Sequence, residues 1–197
     1  EGSAWNYTFF IPHDVEGYAQ LMGGQKVFVD KLQMVFNEGL YDPANEPDIA
    51  YAYLFSRFKG DEWRTQKMIP ELIAKYFTTL PDGIPGNDDT GTMSAWAVFS
   101  MMGFYPDCPG EPSYTLTSPT FEKVTITLDP KWYSGHNELV ISKVGSNENG
   151  RDSVSGRGAY DRISSMTLGR KAIKGYRVSH EELTRGGELV FKCRSAK

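Results

Sequence analysis

The sequence predicts a chain of mixed α and β structure in two parts. Helical hairpins come first, followed by a small antiparallel β-sandwich or sheet domain, with the boundary between residues 106 and 107. Three observations carry this. Up to Gly103, apolar residues recur at helical spacing in successive segments joined by short polar connectors. From Asp107 a Pro/Gly loop intervenes, and the pattern changes to the two-residue alternation of strands. Nowhere do strands and helices alternate around a Gly-rich phosphate loop, which argues against a nucleotide-binding α/β sheet.

The 197 residues suffice for one large domain or two small ones, and 40% hydrophobic content is that of an ordinary globular protein. A net charge of −4 argues against nucleic acid or an anionic membrane surface as partner. No apolar run approaches the ~18 residues of a membrane span. Cys108 and Cys193 lack a CxxC spacing; they could pair, but a structural role for two isolated thiols is the plainer reading. The opening Glu1-Gly2-Ser3-Ala4-Trp5 is neither an initiator Met nor a signal peptide, so the chain reads as a piece of a longer protein.

In order, Trp5 to Ile11 is aromatic and β-branched, either a short strand or the buried end of a helix. Asn6-Tyr7-Thr8 fits a glycosylation sequon, but its aromatic neighbours suggest burial. Pro12 ends the segment. Asp14 is suited to cap a helix from Val15 to Met22, which Gly23-Gly24 closes. His13, beside that cap, is either a loop histidine bonded to backbone or a substrate contact. Gln25 to Asn37 places Phe28, Leu32, Val35 and Phe36 on one helical face. Ile49 to Phe58 suits another buried helix, and Trp63 to Phe77 a further one, in which Pro70 predicts a kink or a later start. Thr92 to Gly103 completes the helices. Strands are expected at Tyr114 to Thr117, Glu122 to Leu128, Leu139 to Ile141 and Glu188 to Phe191. Residues 145–158 read as a polar loop, and Ser179 to Leu183 as one capped helical turn.

The stretch from Asp82 to Trp96 concentrates the chemistry. Its first half is turn formers, carrying Asn87, Asp88 and Asp89; its second half is an almost wholly apolar helix. Adjacent carboxylates and an amide beside a buried helix need partners. A hard cation such as Ca²⁺ would suit those oxygens, although the full spacing of an EF-hand loop is missing. Glycoside hydrolysis needs two carboxyl groups, one donating a proton to the leaving oxygen and one serving a water or the sugar itself. Plain capping is the alternative, with Asp89 or Thr90 closing the helix and Asp88 left in solvent. Asn45-Glu46 also stands just before a buried helix, so the two loops are placed to converge.

Several phrases resemble glycoside hydrolase family 92, the calcium-dependent exo-acting α-mannosidases. They are Glu1 to Tyr7 with Pro12-His13-Asp14-Val15, Asn45-Glu46-Pro47, Trp63-Arg64-Thr65-Gln66-Lys67, Pro81 to Gly91, Met93-Ser94-Ala95-Trp96 and Gly103-Phe104-Tyr105-Pro106. His180 with Gly186-Gly187-Glu188-Leu189 continues the match, which runs in family order over nearly the whole chain.

The resemblance implies the second half of an (α/α)6 toroid followed by the β domain. It implies inverting removal of terminal α-linked mannose from glycans, with α-1,2 the first linkage to expect, in a periplasmic or secreted parent. Glu1 would be the general acid and Asp89 the general base, with Asn87 where many members carry an Asp assisting it. Asn45 and Glu46 would hold Ca²⁺ or the sugar hydroxyls. Trp5, His13 and Asp14 would line the pocket, with Asp88 beside them as the least engaged. Two departures stand out: many members follow Asn-Glu-Pro with Ser-His-His where this chain has Asp48-Ile49-Ala50, and the loop before Asn45 is short. The family's N-terminal β-sandwich and the first half of its toroid have no counterpart here. The piece alone is therefore expected to be inactive without that N-terminal partner. A non-catalytic carbohydrate-binding or structural fragment is the alternative.

Overall fold

The computed structural model describes residues 2–145 and 160–196. The chain separates into two compact units. One takes the chain up to Ala97 together with Asp107–Glu111; the other takes Val98–Pro106 and everything described from Pro112 onward. Among the described residues no helix is long and apolar enough to cross a membrane.

The first unit is helical. Its opening segment is a helix rather than a strand, α1 (Ala4–Thr8), because Ser3 and Asn6 close a reciprocal capping box at its start. Asp14 caps α2 (Val15–Leu21) by accepting from the Gly17 amide at 2.9 Å. Next, α3 (Gln25–Asn37) buries Phe28, Val29, Leu32 and Val35 on one face. The helix expected over Ile49 to Phe58 is shorter than its apolar content suggests. A 3₁₀ turn, Glu46–Asp48, leads into α4 (Tyr51–Leu54), and a second 3₁₀ turn follows at Phe55–Arg57. Tyr51, Tyr53 and Phe55 are fully buried, so packing rather than a long hydrogen-bond ladder holds them. Pro70 does not delay the start of α5 (Glu62–Tyr76), which runs through it. The unit's core joins Phe28, Leu32, Val35 and Ile69 to the aromatic residues of α4, with Phe9 edge-on to Phe28 at 5.0 Å and to Tyr51 at 5.5 Å. The last helix, α6 (Thr92–Met102), starts in this unit and carries the buried Met93 and Trp96.

The second unit holds two sheets. β1 (Phe104–Tyr105), β2 (Ser113–Leu116) and β7 (Arg177–Ser179) form an antiparallel trio in that order. The larger sheet runs β3 (Lys123–Thr127), β4 (Glu138–Val144), β8 (Gly187–Ala196), β5 (Tyr160–Leu168), β6 (Lys171–Ala172). One expectation is corrected here: β4 and β8 pair in parallel, so the sheet is mixed and not wholly antiparallel. A parallel pair needs a crossover, and the long chain between these two strands supplies it. A single apolar core takes Leu116 and Val178 from the smaller sheet and Ile141, Met166, Leu189 and Phe191 from the larger. Between β7 and β8, α7 (His180–Thr184) is capped by Ser179 and Glu182, as its sequence indicates. Cys108 and Cys193 are both buried and not joined in a disulfide. The polar loop expected at residues 145–158 falls almost wholly outside the described residues.

Candidate active site

The site takes shape around the turn at residues 42–48 of the helical unit. Asp48 has no exposed surface, and its Oδ2 accepts two hydrogen bonds, from Asn6 Nδ2 at 2.8 Å and from the Asp42 amide at 2.9 Å. Burial pushes its carboxyl up to about 6, against the two hydrogen bonds that favour the charged form. Among the described residues its buried Oδ1 has no partner, nor has the buried Oδ1 of Asn45 in the same turn. Buried oxygens left unsatisfied are uncommon in folded proteins and concentrate where a ligand or strain accounts for them. Tyr51 holds the α1 segment that carries Asn6. Its hydroxyl lies 2.8 Å from the Asn6 carbonyl and 3.0 Å from that of Trp5, and it accepts from the Phe9 amide at 2.9 Å. Burial raises its pKa well above the usual tyrosine range.

Two glycines show what meets this turn. A Cβ on Gly2 would lie 3.1 Å from Asn45 Nδ2 and 2.9 Å from Asn6 Oδ1. A Cβ on Gly86 would lie 2.7 Å from the Ala44 Cβ, and Gly86 has φ +65°, which only glycine adopts without strain. The backbone next to Asn87 and the backbone at Gly2 therefore both abut the Asn45 turn. Trp96 ties the following helix to it by donating Nε1 to the Ile49 carbonyl at 2.9 Å.

Within the Asn87 loop the roles differ from the capping alternative. The cap is Asp88: its Oδ1 accepts from the Ser94 amide at 2.8 Å and its Oδ2 from the Ser94 hydroxyl at 2.9 Å. Asp89 lends only its backbone carbonyl, which accepts from the Thr92 hydroxyl at 2.7 Å. Asp89 and Thr90 have φ of 44° and 61°, two consecutive non-glycine residues in the left-handed region. Such conformations cost about 1–3 kcal/mol each and cluster at functional sites. They leave the Asp89 carboxylate exposed, with no hydrogen-bond partner among the described residues. Asn87 is exposed as well.

The other expected residues are placed as follows. Trp5 is half-buried on α1. His13 and Asp14 are exposed at the start of α2, where Asp14 is occupied as the cap, and no hydrogen bond among the described residues joins either to the Asn45 turn. Glu46 is exposed. Glu1 lies outside the described residues. Residues that pattern reading passed over are Asn6, Asp48 and Tyr51, all buried and mutually connected. A carboxylate directly ahead of the apolar run from Ile49 was the available signal for Asp48.

For a cation, the orphaned Asn45 oxygen and the neighbouring Glu46 carboxylate are hard oxygen donors of the kind Ca²⁺ takes. Among the described residues no group of three or more His, Cys, Asp or Glu comes together, so this chain fits a minor share of such a shell.

The glycosyl hydrolase family 92 catalytic domain profile matches residues 1–195, and the chain belongs to that family. A family GH92 α-mannosidase of Bacteroides thetaiotaomicron is similar over 98% of this chain, with 27% identity and a TM-score of 0.82. A family GH92 inverting mannosidase of the same organism shows 31% identity over 98% of the chain, with a TM-score of 0.78. An uncharacterized secreted glycosidase of Arthroderma benhamiae is 34% identical over 126 residues, 64% of this chain. The chain spans 25% and 27% of the two solved relatives and 16% of the fungal one.

Proposed function

We propose that the protein carrying this chain is an inverting exo-α-mannosidase that removes terminal α-linked mannose from glycans, and that this chain is its C-terminal portion. The boundary between the parts of the parent enzyme is read at residues 106 and 107, with a half-toroid before it and the β domain after. The observation that carries the reading is the close approach of Gly2 to the Asn45 side chain and of Gly86 to Ala44, at a turn where Oδ1 of Asn45 and of Asp48 are buried and unsatisfied among the described residues, with the Asp89 carboxylate, three residues beyond Gly86, exposed and without a hydrogen-bond partner among them. Family membership and the two solved mannosidases support the substrate class. The secreted fungal relative supports a secreted or periplasmic parent.

Glu1 protonates the glycosidic oxygen as its bond to the anomeric carbon breaks. Asp89 takes a proton from a water that attacks that carbon from the opposite face, so configuration inverts. Inversion requires the two carboxyl groups to stand roughly 6.5–9.5 Å apart, leaving room for the water. Asn87 assists by orienting that water, and its neutral amide leaves the base with one negative charge fewer beside it than an Asp would. Trp5 offers an aromatic face to the sugar, with His13, Asp14 and Asp88 at the pocket edge. Ca²⁺, when bound, would engage the sugar hydroxyls, with Asn45 and Glu46 holding it.

The test is Asp89→Ala in the full-length protein, assayed on α-1,2-mannobiose first. The expected outcome is a fall in kcat of about 10²–10⁴-fold with unchanged thermal unfolding. Near-normal turnover by that variant overturns the assignment of the base.

A further inference from the structure

We infer that Asp48 is a positioning residue for the acid end of this reaction, an inference that rests on the mannosidase reading above. The Asp48 carboxylate is fully buried and grips two segments through one oxygen. On one side it holds Asn6 Nδ2. The other end of that amide, Asn6 Oδ1, accepts from the Ser3 amide at 2.7 Å and the Ser3 hydroxyl at 2.9 Å. Ser3 is two residues from Glu1. On the other side Asp48 holds the Asp42 amide, and Asp42 Oδ1 in turn accepts from the Ala44 amide at 3.0 Å, one residue before Asn45.

A single chain of short bonds therefore fixes the start of α1 against the Asn45 turn. Gly2 is packed so closely there that a Cβ would touch both Asn6 and Asn45. Neither Asp48 nor Asn6 is exposed to a sugar, so any effect on catalysis runs through the segment they hold. General-acid help matters in proportion to how poor the leaving group is. Loosening this segment should accordingly slow hydrolysis of a sugar leaving group and spare an activated aryl one.

The geometry also supplies its own control. Both donors use Oδ2, while Oδ1 has no partner among the described residues. Asp48→Asn can place its amide oxygen where Oδ2 sits and keep both bonds. Asp48→Ala loses both and leaves the buried Asn6 side-chain amide and the partly buried Asp42 N–H unpaired.

The experiment uses the full-length protein with a mannose disaccharide and with 2,4-dinitrophenyl α-mannoside. Asp48→Ala is expected to lose at least roughly tenfold more in kcat on the disaccharide than on the aryl mannoside, within the range general acids supply. Asp48→Asn should stay near the unaltered protein on both. Asn6→Ala cuts the same chain one bond later and should repeat the leaving-group split; it carries the test if Asp48→Ala fails to fold. Equal losses on the two substrates, or an Asp48→Asn as damaged as Asp48→Ala, overturn the inference and leave the mannosidase reading standing. If the unaltered protein hydrolyses neither substrate, the mannosidase reading itself falls and takes the inference with it.

Discussion

Asp48 in the helical unit and Glu182 in the sheet unit are both carboxylates on short helical elements, yet their environments push them in opposite directions. Asp48 is raised to about 6, chiefly because burial penalises its charge. Glu182 is lowered to about 2, first by the Lys171 side chain at 2.9 Å and then by the Ser179 amide and hydroxyl, which it accepts while closing the cap of α7. One charge is enclosed with an oxygen left over. The other sits at the surface with its oxygens occupied. The contrast separates a carboxylate enclosed with incomplete satisfaction from one whose bonds close the cap of a surface helix.

If that separation is right, the two units should fail differently. The largest effect is expected from Phe191→Ala, which empties a fully buried ring position in the core of the sheet unit. It should cost about 3–5 kcal/mol in denaturant unfolding. A loss under about 1 kcal/mol would mean that this core is not what holds the sheets together.

Tyr51→Phe is the matching change in the helical unit. It keeps the ring but strips the Phe9 amide and the Asn6 and Trp5 carbonyls of their shared hydroxyl. A loss of about 1–3 kcal/mol is expected from the buried groups left unpaired. A neutral result would show that apolar packing alone holds α1 in place, and the comparison would collapse.

The smallest effect concerns Glu182. Its folded pKa lies below the ordinary carboxylate value, so the native state binds fewer protons than the unfolded chain between about pH 4.5 and 2. Its contribution to stability is thus present above that window and lost as pH falls through it. Lys171→Ala should move the Glu182 titration midpoint up toward the ordinary value, read by NMR. An unmoved midpoint would assign the whole shift to Ser179. The pair is partly exposed, so the change in global stability should be within a few tenths of a kcal/mol.

Much of the fold was legible because its signals are local. The α3 helix begins and ends where its apolar spacing says, and β8 alternates Leu189, Phe191 and Cys193 inward at a period of two. The β5 strand was not legible. A register shift between Ile163 and Ser165 puts the buried Ile163 and Met166 three residues apart, which erases the two-residue pattern. The short β1, β6 and β7 carry too few residues to show any period. In the site, Asn87, Asp88 and Asp89 stood out by composition. Which of them caps was decided by backbone conformation, since the left-handed turn at Asp89 and Thr90 hands the Ser94 contacts to Asp88.

The sequence by itself determined the caps of α2 and α7, the helical and strand periods and the family to which the chain belongs. These rest on interactions within a few residues, or on strings of residues that can be read directly. Only the tertiary structure decided that β4 and β8 run parallel, that Gly2 and Gly86 press against one turn, and that Asn6 and Asp48 join across 42 positions in the chain. Contacts of that range depend on which buried faces find each other. A buried carboxylate looks the same in sequence as a solvated one until the chain closes over it.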